Sequence, residues 1–236
     1  MKKVTLSLVS AAACLAFTGA AFAQSLNEAV FNDISTDSHE FVEVCGDPGM
    51  DLTGFTIVII EGEGSGKGLI DVAEPLTGAV NANGLYTLGD AAVLPDQIKG
   101  SSFENGGQTL LLVRDFTGAI GTDLDADDDC IEDFPFPGTI VDGVGVGRPS
   151  SGDCTYYGVP ALGPDTGSGG TSDFDVAGVV RCADCDGDWG MICLDGTEPA
   201  SPGCDTENAF NPYFVEYASP GSGNLCEPVS VDPSTW

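Results

Sequence analysis

The stretch Thr56-Ile57-Val58-Ile59-Ile60 decides the fold of this chain. Five consecutive β-branched residues favour a β-strand, and the absence of polar alternation predicts that both faces of this strand are covered. Upstream, Glu40-Phe41-Val42-Glu43-Val44 alternates acidic and apolar side chains. That alternation predicts a second strand with one face towards solvent.

Similar short runs recur along the chain, and each is closed by Gly, Pro, Asn or Asp. They cover residues 27–34, 40–45, 54–61, 84–88, 109–114 and 139–146. Short strands with regular turn signals predict an all-β sandwich. The best candidate helix, residues 91–98, is limited by Pro95 to about one or two turns.

The first 23 residues have the layout of a cleaved secretory signal. Lys2 and Lys3 precede an apolar run, and Ala21-Phe22-Ala23 forms a small-residue cleavage site. Three alanines before Cys14 argue against a lipoprotein anchor, which favours a leucine-like residue there. Later segments are interrupted by Gly, Pro and Asp, so no membrane insertion is expected. The sequence therefore predicts a secreted or cell-surface protein.

The charge balance excludes several classes of partner. After removal of residues 1–23, five basic residues stand against 37 acidic ones, a formal charge of minus 32. Nucleic-acid phosphates and anionic lipids would find no basic surface to neutralise them. Divalent cations or a saline environment suit this composition better, and no nucleic-acid partner is expected.

The same cleavage leaves an even number of cysteines. They are Cys45, Cys130, Cys154, Cys182, Cys185, Cys193, Cys204 and Cys226. An exported chain meets an oxidising environment, so disulfides are the expected state. Seven of the eight follow residue 129, which places the cross-links mainly in the loop-rich second half. The sequence does not specify the pairing.

Several motifs resemble, in order and spacing, the bacterial lamin-tail domain, whose fold is immunoglobulin-like. They are Leu26-Asn27-Glu28, Glu40-Phe41-Val42-Glu43-Val44, Asp51-Leu52-Thr53-Gly54-Phe55-Thr56, Asn83-Gly84-Leu85-Tyr86-Thr87-Leu88-Gly89, Gly106-Gly107-Gln108-Thr109-Leu110-Leu111-Leu112, Ile140-Val141-Asp142-Gly143-Val144, Gly147-Arg148-Pro149 and Pro199-Ala200-Ser201-Pro202-Gly203. The resemblance implies an immunoglobulin-like β-sandwich over residues 24–205. It also implies an accessory or surface module rather than an enzyme.

Two regions depart from the family pattern. A cysteine-rich, loop-rich insertion covers residues 149–198, and a C-terminal extension covers residues 206–236. The apolar stretch Pro212-Tyr213-Phe214-Val215-Glu216-Tyr217 within the extension predicts an added edge strand. Properties specific to this protein are expected in these two regions.

The sharpest local feature is Asp123-Leu124-Asp125-Ala126-Asp127-Asp128-Asp129-Cys130, followed by Glu132 and Asp133. Alternate aspartates can converge on calcium, which takes about six to eight oxygen ligands. The candidate ligands are Asp123, Asp125, Asp127 and Asp129. Asp128 and Phe134 occupy the Gly and Glu positions of the EF-hand, so the loop is not one. The alternative is a solvated acidic hairpin.

A second cluster combines Cys182 and Cys185 with Asp184, Asp186 and Asp188. The three aspartates are a weaker calcium candidate. Zinc bound by four thiolates is the alternative to disulfides here, but disulfides are favoured in an exported chain. The thiolates would come from Cys182, Cys185, Cys193 and Cys204.

Catalytic patterns are weak. His39 is the only histidine and follows the polar residues Ser35-Thr36-Asp37-Ser38, which indicates a solvated loop residue rather than part of a catalytic triad. The glycine-rich segment 62–68 departs from the phosphate-binding loop at Glu61 and Gly68. It is interpreted as a hairpin tip.

Three functions remain open from the sequence. The first is a non-catalytic surface or matrix module that contacts a protein or glycan partner and is stabilised by calcium and disulfides. The second is a calcium-dependent extracellular hydrolase, or its accessory domain, that uses paired aspartates. The third is a subunit of an extracellular filament that self-associates through an exposed strand such as residues 213–217.

Overall fold

The structure is a computed structural model that describes residues 24–32, 38–147, 152–163, 176–181, 185, 187–192, 214–215 and 220–224, with residues 191, 214 and 215 described by their backbone alone. The predicted signal, residues 1–23, lies outside this part. So do Cys182, Cys193, Cys204 and Cys226, together with Asp184 and Asp186.

The described residues form β-strands and one short 3-10 helix. The strands are β1 Ser25–Val30, β2 Phe41–Cys45, β3 Phe55–Glu61, β4 Ile70–Pro75, β5 Leu85–Gly89, β6 Gln97–Ile98, β7 Gln108–Arg114, β8 Thr139–Val146, β9 Ala161–Leu162, β10 Gly178–Arg181, β11 Trp189–Ile192 and β12 Phe214–Val215. The 3-10 helix spans Ala91–Val93 and ends at Leu94, whose φ is 54°. The candidate helix at 91–98 is therefore a single turn.

The strands are arranged in two mixed sheets. The first has seven strands in the order β12-β11-β10-β1-β2-β5-β6, and the second has five in the order β4-β3-β7-β8-β9. Most neighbours are antiparallel, while β11/β12, β5/β6 and β8/β9 are parallel. The described part of the chain is all-β apart from the single 3-10 turn, and this architecture is consistent with a β-sandwich.

The largest apolar cluster takes side chains from both sheets. Leu26, Val44 and Leu88 come from the seven-stranded sheet, and Ile57 and Leu110 come from the five-stranded sheet. Successive side chains of a strand point to opposite faces. The cluster therefore lies between the sheets, as in the core of a two-layer protein.

The outer face of the five-stranded sheet is also covered, which explains the uninterrupted apolar run of β3. Val58 and Ile60 belong to a second cluster that includes Leu124 and Tyr156 from the connecting loops. Ile57 and Ile59 of the same strand face the first cluster. The prediction that β3 is covered on both faces is confirmed.

The prediction of one solvent-exposed face for β2 is wrong. Every residue of β2 is buried, including Glu43. Asn27 donates a hydrogen bond to Glu43 Oε1 over 2.8 Å, while Thr87 and the backbone N–H of Gly221 donate to Oε2. The acidic alternation of β2 therefore reflects buried hydrogen-bonded carboxylates, which sequence periodicity does not distinguish from exposed ones.

The predicted loop-rich insertion at 149–198 also supplies strands. β10 pairs with β1 over Glu28 to Val30, so it lies inside the seven-stranded sheet rather than on its surface. β12 lies within the stretch for which the sequence predicts an edge strand, and it pairs with β11 at the edge of the same sheet.

Candidate functional site

The acidic loop that follows residue 122 is held against the hairpin between β3 and β4. Leu124 is buried in the second apolar cluster, on the outer face of the five-stranded sheet, and its N–H donates to the carbonyl of Gly68 over 2.9 Å. Gly68 has a φ of 79°, and a Cβ at this position would lie 2.6 Å from the nitrogen of Asp125. The glycine-rich tip therefore receives the acidic loop, because only glycine allows this approach.

Asp125 is the centre of the loop. Its side chain is buried and accepts hydrogen bonds from the N–H of Asp129 over 3.1 Å and of Cys130 over 2.9 Å. The hydroxyl of Tyr156 donates to Asp125 Oδ2 over 2.9 Å. Burial, and secondly the contact with Asp125, raise the pKa of Tyr156, so the hydroxyl stays protonated and keeps donating. A disulfide joins Cys130 to Cys154 and closes the loop covalently.

Three carboxylates of the loop can hold a metal ion. Oxygens of Asp125, Asp127 and Asp133 lie within 4.8 Å of one another; Asp125 is buried and the other two are exposed. Asp133 also accepts a hydrogen bond from the N–H of Ala126. The neighbouring charge of Asp129, more than any other cause, raises the pKa of Asp127. A cation would relieve this repulsion.

The predicted ligands are thus only partly brought together. Asp125 and Asp127 converge, whereas Asp123 accepts a hydrogen bond from the N–H of Asp125, and Asp129 accepts one from the N–H of Ile131. Asp133 takes a place in the cluster that the four-residue candidate set did not include. Alternation within the loop indicated acidic ligands but could not show that residues 125 and 133 approach each other.

The donor set suits a hard cation. Three carboxylates offer oxygen ligands alone, which calcium and magnesium prefer, and water would have to supply the remaining positions. Two exposed apolar side chains belong to the same loop: Ile131 is 64% exposed and Phe134 is 53% exposed. The loop therefore combines carboxylates with apolar surface on a framework that is fixed by a disulfide and buried hydrogen bonds.

All four cysteines that the structure describes are in disulfides. Cys45 at the end of β2 is bonded to Cys185, in addition to the bond between Cys130 and Cys154. Because the sulfur of Cys185 is bonded to Cys45, it is not available as a zinc thiolate, and the four-cysteine zinc alternative is wrong. The two disulfides suggest an oxidising, extracellular environment.

His39 is exposed, as expected for a loop residue, and its Nδ1 lies 3.1 Å from the hydroxyl of Ser38. Among the described residues, no helix is long and apolar enough to cross a membrane.

A scan against protein-family models found no match, and searches of curated proteins and of solved structures found none either.

Proposed function

We propose that this chain is a non-catalytic structural or binding module that acts outside the cell or on its surface. The observation that carries the proposal is the use of buried charge in the described residues. Asp125 binds loop backbone and a tyrosine, and Glu43 binds two side chains and the N–H of Gly221. The partly buried Arg181 forms an ion pair with Asp142 and donates to the carbonyls of Leu26 and Gly187. Each of these charged groups is used to stabilise the fold, which supports the structural part of the proposal. The two disulfides support the extracellular part.

The proposal includes a finer assignment of the fold, an immunoglobulin-like sandwich of the lamin-tail type. Its support is the position of the sequence motifs. Glu40 to Val44 lead into and form β2, the motif ending in Phe55-Thr56 begins β3, and the later motifs fall on β5, β7 and β8. A crystal structure whose strand connections differed from those of lamin-tail domains would overturn this assignment.

The acidic loop is the surface through which the module contacts a protein or glycan, and calcium stabilises it. The cluster of Asp125, Asp127 and Asp133 supports the calcium part, and the exposed Ile131 and Phe134 support the contact. A ligand that binds only the folded state adds about 2.7 kcal/mol of stability at a free concentration 100 times its Kd. Calcium should therefore raise the melting temperature of chelator-treated protein.

The test compares calcium titrations and thermal melts of the wild type with those of the Asp127→Asn, Asp133→Asn double variant. We expect the wild type to show saturable binding and a calcium-dependent rise in melting temperature, and the variant to show neither. Asp115→Asn is the matched control, because Asp115 is an exposed loop aspartate outside the cluster. If calcium does not change the melting temperature of the wild type, the acidic loop is solvated charge rather than a calcium site, and the calcium part of the proposal is overturned.

The non-catalytic part has a separate test. A broad hydrolase screen, run with and without chelator, should give no turnover above background. Turnover that disappears in the Asp127→Asn, Asp133→Asn variant would instead favour a calcium-dependent hydrolase and would overturn the proposal.

A further inference from the structure

A buried lysine lies against two carboxylates at the edge of the seven-stranded sheet, away from the acidic loop. Lys99 Nζ is 2.5 Å from Glu40 Oε2 and 3.5 Å from Asp90 Oδ1. The side chains of Lys99 and Glu40 are 5% and 1% exposed, and that of Asp90 is 24% exposed. The ring of Phe103 covers the ammonium group, with its centroid 4.8 Å from Nζ. An amine and a carboxyl group are therefore in contact in a site that excludes most water.

The sheet fixes these groups in position. Glu40 and Asp90 lie just beyond the paired residues Phe41 and Gly89. The N–H of Glu40 donates to the side-chain Oδ2 of Asp90, and the N–H of Asp90 donates to the Glu40 carbonyl. Lys99 follows β6, and its N–H donates to the carbonyl of Gly89 over 2.9 Å. The backbone positions that carry these side chains are thus fixed by strand pairing, which orients the two groups as a reaction between them requires.

One oxygen of Glu40 is unsatisfied. Oε2 accepts hydrogen bonds from Lys99 Nζ and from the N–H of Phe103 over 3.2 Å, whereas the buried Oε1 has no partner among the described residues. Leaving a buried acceptor unsatisfied costs about 1–3 kcal/mol. The ion pair with Lys99 leaves this cost in place.

We propose that Lys99 and Glu40 are joined by an intramolecular amide bond, formed by condensation of the Lys99 amine with the Glu40 carboxyl group. The linkage would cross-link residues 40 and 99 and fasten the β6 edge of the sheet to the start of β2. It is independent of the calcium site and of any partner.

The reaction balances without an oxidant or any other reactant. A proton passes from the ammonium of Lys99 to the Glu40 carboxyl group and resides on Oε1, which leaves a neutral amine and a carboxylic acid. Nζ then attacks Cδ of Glu40, the C–N bond forms, and Oε1 leaves as water. Asp90, whose Oδ1 is 3.5 Å from Nζ, accepts the proton lost by nitrogen and delivers it to the departing oxygen.

Burial favours the carboxylic acid form of Glu40, from which this reaction starts. Desolvation raises the pKa of Glu40, and this effect exceeds the opposing hydrogen bonds from Lys99 and Phe103. A neutral carboxylic acid is a better electrophile than a carboxylate, and a dry site slows hydrolysis of the product.

The product satisfies the polar atoms that the ion pair leaves unpaired. The unpartnered Oε1 is the oxygen lost as water, and Oε2 becomes the amide carbonyl that still accepts from Phe103. The amide N–H can donate to the carbonyl of Ser101, which already lies 2.8 Å from Nζ. Every polar atom of the linkage then has a partner.

The decisive measurement is a tryptic map of the purified, reduced and denatured full chain by mass spectrometry. Trypsin does not cleave after an acylated lysine, so a Glu40 linkage joins the peptide that ends at Lys67 to peptide 68–114, with the mass of one water missing. A linkage to Asp90 would instead give peptide 68–114 alone, lighter by one water. That result, or full cleavage after Lys99 without a branched peptide, would overturn the proposal.

Two lysine variants test whether Lys99 forms the linkage, and both keep the positive charge of the replaced residue. K99R keeps the positive charge and should lose the branched peptide, because a guanidinium does not form this amide. K67R replaces the other lysine that follows residue 23 and should keep the linkage. A branched peptide that persists in K99R would place the cross-link elsewhere and overturn the assignment.

Asp90→Asn tests the proton transfer. Asn retains an oxygen that can accept from the Glu40 N–H but cannot take up a proton, so we expect the linked fraction of freshly purified protein to fall several-fold. Complete linkage in this variant would overturn the role of Asp90.

Discussion

At the scale of single residues, buried charge in this protein replaces apolar packing where loops meet the sheets. Asp125 is fully buried within an acidic loop, and its oxygens accept hydrogen bonds from two backbone N–H groups and the Tyr156 hydroxyl. A buried carboxylate is tolerated when such donors replace water. Removal of this carboxylate, or of one of its donors, should therefore lower the free energy of unfolding of the whole chain.

Tyr156→Phe tests this dependence. The substitution removes only the hydroxyl that donates to Asp125 Oδ2 over 2.9 Å. Hydrogen bonds to charged groups contribute about 1.5–3 kcal/mol, so we expect the free energy of unfolding to fall by about that amount. Guanidinium chloride unfolding, followed by tryptophan fluorescence, measures it.

Tyr157→Phe is the matched control. The hydroxyl of Tyr157 donates to the carbonyl of Phe134, a neutral and exposed acceptor at 3.2 Å, so its loss should cost about 0.5–1.5 kcal/mol. Equal effects of the two substitutions would contradict a special role for the bond to Asp125.

The roles of single acidic residues were also the hardest feature to predict from the sequence. The acidic residues 123–133 were identified from the sequence, but Asp123 and Asp129 turn towards nearby backbone N–H groups, and Asp133 joins the cluster instead. Backbone conformation decides this choice, since Asp128 and Cys130 have φ values of 57° and 69°. Those positive φ values are not visible in a pattern of charges.

At the scale of secondary-structure elements, strands within a distinct apolar run could be predicted, whereas strands in turn-rich or more polar stretches could not. The runs predicted at 54–61, 109–114 and 139–146 correspond closely to β3, β7 and β8. β4 was missed although Ile70 and Val72 alternate with more polar neighbours. β9 and β10 were missed because they lie in a stretch dominated by turn residues, where pairing with distant strands determines their conformation.

The two disulfides connect elements that are separated by very different lengths of chain. Cys45 and Cys185 are 140 residues apart, and Cys130 and Cys154 are 24 apart. In the chain-entropy model, closing these loops contributes about 5 and about 3.5 kcal/mol respectively. The longer link also joins the end of β2 to the segment between β10 and β11.

We therefore expect Cys45→Ala, Cys185→Ala to destabilise the protein more than Cys130→Ala, Cys154→Ala does, by about 1.5 kcal/mol. Chemical unfolding under non-reducing conditions measures the difference. Each variant keeps the other disulfide, and both keep Cys182, Cys193, Cys204 and Cys226. A larger loss for the shorter link would show that packing of the acidic loop outweighs loop entropy.

At the scale of the whole molecule, the dominant property is negative charge. The full chain has 37 acidic and seven basic residues, and self-repulsion of this kind opposes the compact state. Glu104 shows the effect on an exposed carboxyl group beside other acids. Desolvation is the main cause that raises its pKa, and the charges of Asp71 and Glu63 add to it.

The sign of the resulting pH dependence follows from these shifts. Burial raises the pKa of Glu61, and crowding by Asp129 raises that of Asp127. With Glu104, these groups bind protons more tightly in the folded than in the unfolded state. Their stabilising contribution is complete below their ordinary pKa values, near 4, and is lost as the pH rises through the raised values. Asp51 has a lowered pKa and opposes this only in more acidic solution.

The melting temperature should therefore rise as the pH is lowered from 8 to about 5, by about 2–4 °C for each kcal/mol gained. Differential scanning calorimetry in chelator measures it, because bound calcium would neutralise part of the same charge. Glu104→Gln should flatten the profile, since it removes one titrating group and its repulsion on Glu61. A melting temperature that increases with pH across this range would mean that carboxylates bound by hydrogen bonds, rather than crowded ones, control the stability of the chain.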